Sequence, residues 1–268
     1  MALRLLATVL VLLSAPAFAG VVFEFELVDA TDPAAEPDRI NASVEGERIR
    51  MDVKGPRGAN ADMIFLGDRH EMLAVDHDSQ TYVLIDDATI DQISSQLSQL
   101  EAQIQEMLKD VPPEQRAAVE QMMKQQMPST GGAEPVTEIR STGESGEKNG
   151  YSAREFELYR DGRREKSFWV TDWDNIEGGR DAARAFGSMA EFVQELQDAM
   201  PDFAKSSAVG TNAYEHLEEL GGFPVVTIDY APDGSAMGES HLKRSRIEAL
   251  DAGEFEAPDG YARKTLVQ

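Results

Sequence analysis

The sequence has no cysteine among its 268 residues, which excludes disulfide bonds, thiolate metal ligands and thiol nucleophiles. A fold without disulfides must be stabilised by buried apolar surface, and a chain of this length is long enough to bury a core. Basic residues are also scarce, because 25 Lys and Arg stand against 49 Asp and Glu, for a net charge of −24. Nucleic acids and anionic membrane surfaces attract positively charged faces, so this charge argues against both as partners.

Long hydrophobic runs are missing after the first twenty residues, and the later apolar stretches have only the length of strands. At the start of the chain, Arg4 precedes the apolar run Leu5–Leu13 and the small-x-small motif Ala17-Phe18-Ala19. This run is too short to span a bilayer, which takes about 20 apolar residues. The pattern predicts a signal peptide over residues 1–19, cleaved near Ala19-Gly20, and a periplasmic or secreted protein with no membrane span after cleavage.

Catalytic and cofactor motifs are missing as well. The sequence has no Gly-x-Ser-x-Gly elbow, phosphate-binding glycine loop or dinucleotide fingerprint, and its four histidines lack the spacing of helical metal ligands. Two acidic motifs, Asp76-His77-Asp78 and Asp172-Trp173-Asp174, fall at strand ends, where aspartate is common in turns. We therefore predict no enzymatic activity, no cofactor and no metal site. A hydrolase that uses the carboxylates of Asp76, Asp172 and Asp174 alone is the least favoured alternative.

Alternating apolar residues in the first third of the chain predict an antiparallel meander. The alternation is clearest in Val21–Val28, Ala61–Leu66 and Thr81–Ile85. Between Ile40 and Val53 it is interrupted by Gly46, so this stretch is either a hairpin or one long bulged strand.

A second group of strands is predicted in the rest of the chain. Its members are Thr137–Thr142, Tyr151–Tyr159, Arg164–Val170, Phe223–Tyr230 and Ser240–Leu250. We expect a polar turn over Gly143–Gly150 and a hairpin at Asp161-Gly162, whereas Gly253–Tyr261 shows no clear periodicity.

Two stretches have apolar residues spaced by three and four, which is typical of a single stripe on a helix. One runs from Ile90 to Met107, and the other belongs to a helix over about Arg180–Met200. Further helices are predicted over Glu114–Gln126 and, more briefly, over Asn212–Leu220. These elements predict an α+β fold with a long antiparallel sheet.

The domain organisation follows from the composition of the middle of the chain. We treat residues of about 87–127 as a helical insert and the Pro-, Gly-, Ser- and Thr-rich residues of about 128–136 as a linker. Residues 20–268 then form a single domain, and a division into two domains at the linker is the alternative.

Several short motifs follow one another in a distinctive order. They are Met63 with Phe65, Met72-Leu73-Ala74-Val75-Asp76, Gln80–Asp86, Gly150–Glu157, Phe168-Trp169-Val170, Gly221–Val225 and Phe255–Tyr261. This order resembles the bacterial exported family catalogued as domain of unknown function 4412, over residues 22–261, with a longer segment at 87–135. The resemblance implies the fold of the outer-membrane lipoprotein-carrier proteins, a curled antiparallel sheet forming a half-open barrel, with amphipathic helices packed on it as a lid. It implies an apolar cavity for an acyl chain and no assigned activity.

The helical stripes supply the candidate ligand-cavity residues. We predict that the cavity is lined by Leu97, Leu100, Ile104, Phe186, Met189 and Val193; the alternative is that such positions are ordinary core residues. The functional prediction is an exported, non-enzymatic protein that binds a hydrophobic ligand such as a lipid or acyl chain. The alternative function is an envelope protein–protein interaction module without a small ligand. The oligomeric state stays open, because striped helices can also pair between chains.

Overall fold

A computed structural model describes residues 19–32, 34–54, 60–109, 136–199 and 217–265. The strands in these ranges are β1 (Ala19–Asp29), β2 (Asp38–Glu45), β3 (Arg48–Lys54), β4 (Asn60–Leu66), β5 (Glu71–Asp76), β6 (Thr81–Ile85), β7 (Thr137–Lys148), β8 (Tyr151–Arg160), β9 (Arg163–Thr171), β10 (Phe223–Tyr230), β11 (Ala236–Ala249) and β12 (Ala262–Lys264). The helices are α1 (Asp87–Lys109), α2 (Gly179–Asp198) and α3 (Leu217–Leu220). None of these described helices is long and apolar enough to cross a membrane.

All twelve strands belong to one curled sheet, which does not close within the described residues. The strand order is β12-β6-β5-β4-β3-β2-β1-β11-β10-β9-β8-β7. Neighbours are antiparallel, except that β12 pairs in parallel with β6. β1 lies between β2 and β11, so it joins the N-terminal meander to the strands of the second half.

Several sequence predictions are confirmed. The stretch from Ile40 to Val53 is a hairpin, and Gly46 takes the positive φ of 60° that its turn requires. Strands β6 and β10 have the predicted bounds, and α1 covers the stripe from Ile90 to Met107. Helix α2 covers the second stripe as far as Leu196, and Met200 lies outside the described residues. Four predicted segments lie outside the described residues. They are the signal peptide except for Ala19, the helix over Glu114–Gln126, the linker up to residue 135, and residues 212–216 of the short helix.

Two predictions about strands were wrong. The polar turn over Gly143–Gly150 is instead the second half of β7, which continues to Lys148. The register shifts between Ser141 and Ser145, where Gly143 has φ of 79°, so the strand bulges and then resumes. The aperiodic C-terminal tract contains a short 3-10 turn and leads into β12, which makes the sheet not purely antiparallel.

Among the described residues, one face of the sheet carries a single large apolar cluster, which extends from β5 to β8 and includes α2. The opposite face carries two separate clusters. We call the face that contacts α2 the inner face and the opposite one the outer face, because side chains converge on the inside of a curled sheet. Irregular register in five strand pairs, including the pair of β1 with β11, bends the strands.

Helix α2 lies across the inner face and packs into the centre of the core. Its buried residues are Gly179, Ala182, Ala185, Phe186, Met189 and Phe192. The ring centroids of Phe186 and Phe23 are 6.2 Å apart. The ring of Phe23 stacks on that of Phe223, with 5.1 Å between centroids. Further along, Phe192 lies 5.6 Å from Phe65 of β4. These aromatic contacts fill the space between α2 and the middle of the sheet.

Candidate functional site

Side chains cross the inner face in rows, because directly paired residues of antiparallel strands point to the same side. The row nearest to α2 consists of Val44, Ile49, Phe65, Met72 and Ile85. Its first four members are buried, and Ile85 is half-buried against the same cluster. This row belongs to the core and leaves no room for a ligand.

The second row lies one pair further from α2 and is equally apolar. It consists of Ala42, Met51, Met63, Ala74 and Val83. Ala42 is fully buried, Met51 and Met63 are half-buried, and Ala74 is exposed. Burial therefore decreases towards β5, although every side chain in the row is apolar.

The third row continues this surface before it becomes polar. Ile40 and Val53 are half-buried and Ala61 is exposed, and the row ends at Asp76 and Thr81. We call the seven partly or fully exposed apolar residues of both rows the inner trough; they are Ile40, Met51, Val53, Ala61, Met63, Ala74 and Val83. An apolar surface of this kind suits an apolar ligand or an apolar segment of a partner.

Helix α1 begins directly after β6, at the edge of the same face. Asp86 caps the helix by accepting hydrogen bonds from the amide of Thr89 at 2.8 Å and from its hydroxyl at 2.6 Å. These hydrogen bonds hold the pKa of Asp86 below its ordinary value, despite the opposing effect of burial. Ile90 then packs against the inner cluster. The start of α1 is thus fixed to the inner face.

In its described part, the apolar stripe of α1 is less covered than that of α2. Six residues of α2 are buried, whereas no described side chain of α1 is. Ile93 and Leu97, which continue the stripe from Ile90, are half-buried. An amphipathic helix is stabilised mainly by covering its apolar face, so the stripe of α1 has room for a further contact.

The six predicted cavity residues fall into two groups. Phe186 and Met189 are buried under α2, and Val193 packs against the same cluster. Leu97 is half-buried on α1, and the side chains of Leu100 and Ile104 lie outside the described residues. The structure therefore brings the three α2 residues together with Ile90, and the role of all six in lining a cavity stays a prediction.

Sequence reasoning missed the inner trough. Met51 and Met63 were recognised only as members of alternating strands, because alternation identifies a face but not its neighbours. The signal was the alternation in β3, where Ile49, Met51 and Val53 form one apolar face and the residues between them are charged.

His70 connects the two long helices to the turn between β4 and β5. It has a left-handed backbone conformation, with φ of 54°, directly after a 3-10 turn over Gly67–Arg69. Its Nδ1 lies 2.6 Å from Asp87 Oδ1 in the first turn of α1, and its Nε2 lies 3.2 Å from Glu195 Oε2 in the last turn of α2. The ring contacts the edge of Phe192, with 4.9 Å between ring centroids.

A polar network lies on the inner face of β8, β9 and β10. Glu157 accepts hydrogen bonds from Arg164 Nη1 at 2.6 Å and from the Tyr159 hydroxyl at 2.8 Å. Burial by itself would raise the pKa of Glu157, but these two hydrogen bonds outweigh it and the pKa is lowered. Arg164 also stacks on Tyr230, with its Cζ 3.9 Å from the ring centroid.

Two open grooves border this network at the strand ends. One has a volume of about 420 Å³ and includes Arg164 and Tyr230 in its lining; the other has a volume of about 380 Å³ and includes Leu27. Both grooves share Met237 and Gly238. Met237 is 46% exposed and gives both grooves an apolar contact, while charged side chains line the first groove more than the second.

The first acidic motif has a structural role. Asp76 accepts hydrogen bonds from the Ser79 hydroxyl at 2.7 Å and the Asp78 amide at 2.9 Å, which closes a turn. The neighbouring His77 is directed to the outer face, where its Nε2 lies 2.8 Å from the buried carboxylate of Asp62. Its Nδ1 is 2.8 Å from the hydroxyl of Tyr261. These contacts attach the C-terminal segment to the sheet.

The second acidic motif forms exposed ion pairs. Asp172 lies 3.0 Å from Arg154, and Asp174 lies 2.7 Å from Arg180. Trp173, between them, contacts the ring of Phe223 edge-on and belongs to the edge of the core. In the described ranges, no group of three or more His, Asp or Glu side chains converges as a metal site requires.

No protein-family model matches the chain, and no curated protein matches it significantly in sequence. Among solved structures, it is similar to an uncharacterized conserved protein from Thermus thermophilus, at 6% identity over 91% of this chain and 89% of that one, with a TM-score of 0.44. A chain of the MucA/MucB complex of Pseudomonas aeruginosa shows 8% identity over 90% of this chain and 56% of that one, with a TM-score of 0.37.

A LolA superfamily protein from Nitrosomonas europaea shows 10% identity over 90% of this chain and 91% of that one, with a TM-score of 0.33. At these identities and TM-scores, the similarities carry no argument about function. Membership of the family catalogued as domain of unknown function 4412 stays a prediction.

Proposed function

We propose that the protein is an exported, non-enzymatic binding protein that holds a hydrophobic ligand, such as an acyl chain, in the inner trough. The observation that carries the proposal is the second row of the inner face. Met51 and Met63 are apolar, adjacent and only half-buried, and exposed Ala74 follows them. Burying apolar surface yields roughly 25 cal/mol per Å², so this surface favours an apolar occupant over water.

The arrangement of α1 supports the same proposal. The helix is fixed at its start by the Asp86 cap and by Ile90, while Ile93 and Leu97 stay half-buried. We infer that α1 acts as a lid, whose stripe covers one side of the ligand while the trough covers the other. Leu97, Leu100 and Ile104 then contact the ligand from the lid.

A protein partner is the second candidate, and a different observation favours it. The rings of Phe23, Phe186 and Phe223 fill the inner face beneath α2, which limits the space available to a ligand. The trough and the half-covered stripe of α1 would then bind an apolar segment of another envelope protein.

The test is native mass spectrometry of the mature protein, purified from the periplasm without detergent and then incubated with a long-chain fatty acid, together with lipid analysis. We expect one bound lipid per protein in the wild type. Ala74→Trp places an indole in the trough at an exposed position and should abolish this binding. Ser152→Trp, at an exposed position on β8, is the matched control and should retain it.

Two results would count against a lipid ligand. A wild type that stays free of lipid after incubation would contradict the proposal. Capture of an envelope protein by the wild type and Ser152→Trp, but not by Ala74→Trp, would establish the partner function instead.

A further inference from the structure

One imidazole lies between two carboxylates that belong to different helices. Asp87 in the first turn of α1 faces Nδ1 of His70, and Glu195 in the last turn of α2 faces Nε2. A neutral imidazole has a single N–H, so it would direct the lone pair of its other ring nitrogen at a carboxylate. The imidazolium presents a positively charged N–H to both carboxylates at once.

We propose that His70 is a proton-controlled clamp that holds the base of α1 against the end of α2. The protonated ring attracts both carboxylates and keeps α1 closed over the inner trough. The neutral ring loses one of the two contacts, and the part of α1 that follows Ile90 moves away from the trough. This inference rests on the proposed function, because it assigns to that site a means of retaining and releasing its ligand.

The surroundings of His70 contain few competing charges. Arg69, its neighbour in the chain, pairs with Glu71 at 2.6 Å, and Asp86 is engaged in capping α1. Phe192 of α2 covers one side of the ring with an apolar contact. The charged groups that face the imidazole from the packed helices are therefore Asp87 and Glu195.

The exposure of the two carboxylates makes the clamp weak enough to be reversible. The side chain of Asp87 is 76% exposed and that of Glu195 is 59% exposed, and exposed ion pairs contribute little individually. The position of the clamp compensates for this weakness. It acts at the base of α1, where Ile90 packs against the inner cluster and from which the rest of the helix extends.

The experiment is hydrogen–deuterium exchange of the full mature protein at pH 5 and pH 8, corrected for intrinsic exchange rates. Peptides from α1 should be protected about 1.5-fold to fivefold more strongly at pH 5, the range expected for exposed ion pairs. In His70→Gln, which keeps a polar side chain but does not titrate, the difference should disappear. His241→Gln is the matched control, because His241 forms a similar pair with Glu239 at 2.8 Å on β11, and it should retain the difference.

Equal protection of α1 at both pH values in the wild type would overturn the clamp, as would a difference that persists in His70→Gln. Bound fatty acid is measured in the same samples, which separates the two proposals. Protection that depends on pH without any lipid binding supports the clamp and rejects the lipid function. Lipid binding with protection that does not depend on pH supports the function and rejects the clamp.

Discussion

Met51 lies directly opposite Met63 on neighbouring strands, and both side chains point to the inner face, where they are half-buried. Methionine is flexible and polarizable, so a pair of methionines adapts to apolar occupants of different shape. The buried first row lies next to the pair along the strands, and exposed Ala74 lies next to Met63 on the neighbouring strand. This position makes Met51 and Met63 the centre of the inner trough.

Replacing both methionines by glutamine should weaken the binding of a fluorescent fatty acid. Glutamine is close to methionine in size but brings a polar amide to the trough, and we expect the affinity to fall about tenfold. The measurement is a fluorescence titration of Met51→Gln/Met63→Gln. Met237→Gln changes an exposed methionine at the strand ends and should bind as the wild type does; equal weakening there would mean that the effect is not specific to the trough.

Two glycines near α2 should respond in opposite ways to alanine. Gly178 has φ of 67°, and a Cβ atom there would lie 2.0 Å from Cγ2 of Val21. Because alanine would be strained and would clash, Gly178→Ala should lower the free energy of unfolding by about 1–3 kcal/mol or more. Gly187 lies inside α2 with open space around it, and Gly187→Ala should raise stability by about 0.5–1 kcal/mol. Urea denaturation measures both, and a stable Gly178→Ala variant would contradict the packing of β1 against α2.

The buried carboxylate of Asp62 should matter more than an exposed one on the same hairpin. Its side chain is 2% exposed and pairs with Arg50 at 2.5 Å. Asp62→Asn leaves the charge of Arg50 uncompensated and should lower the free energy of unfolding by about 3–5 kcal/mol. Asp68 pairs with Arg48 at 2.6 Å but is 41% exposed, and Asp68→Asn should cost less than about 1 kcal/mol. Similar losses of unfolding free energy in both variants would show that the buried pair of Asp62 with Arg50 contributes no more than the exposed pair of Asp68 with Arg48.

The polar network on β8 should make the melting temperature depend on pH in the acidic range. The pKa of Glu157 is lowered in the folded state, so its contribution is present above the unfolded-state value of about 4.3 and is lost as the pH falls through the folded-state value. Glu157→Gln should therefore reduce the loss of melting temperature between pH 5 and pH 3. An identical pH profile in the variant and the wild type would exclude this role, and Glu155→Gln on the same strand is the control.

The sequence predicted individual elements better than their arrangement. Strand and helix periods are local, so β6, β10 and both apolar stripes could be found without knowing their neighbours. The pairing of β1 with β11 joins residues more than 200 positions apart, and no local pattern encodes it. The bulge at Gly143 resembled a turn because glycine with positive φ occurs in both.

The site was harder to predict than the fold for the same reason. The stripe residues Phe186 and Met189 were recognised, but their spacing could not show that α2 buries them against Phe23 and Phe223. The inner trough depends on the register of β2 to β6, which places residues from five strands in one row. The His70 contacts depend on three elements meeting at one turn.

The most direct test of the account is methyl NMR of the mature protein labelled with ¹³C at the methionine methyl groups, titrated with a long-chain fatty acid. Single Met→Leu substitutions at Met51, Met63 and Met237 assign the three signals. We predict that the methyl signals of Met51 and Met63 shift and saturate at one equivalent, while that of Met237 does not move. Unchanged Met51 and Met63 signals, or shifts confined to Met237, would contradict a ligand site in the inner trough.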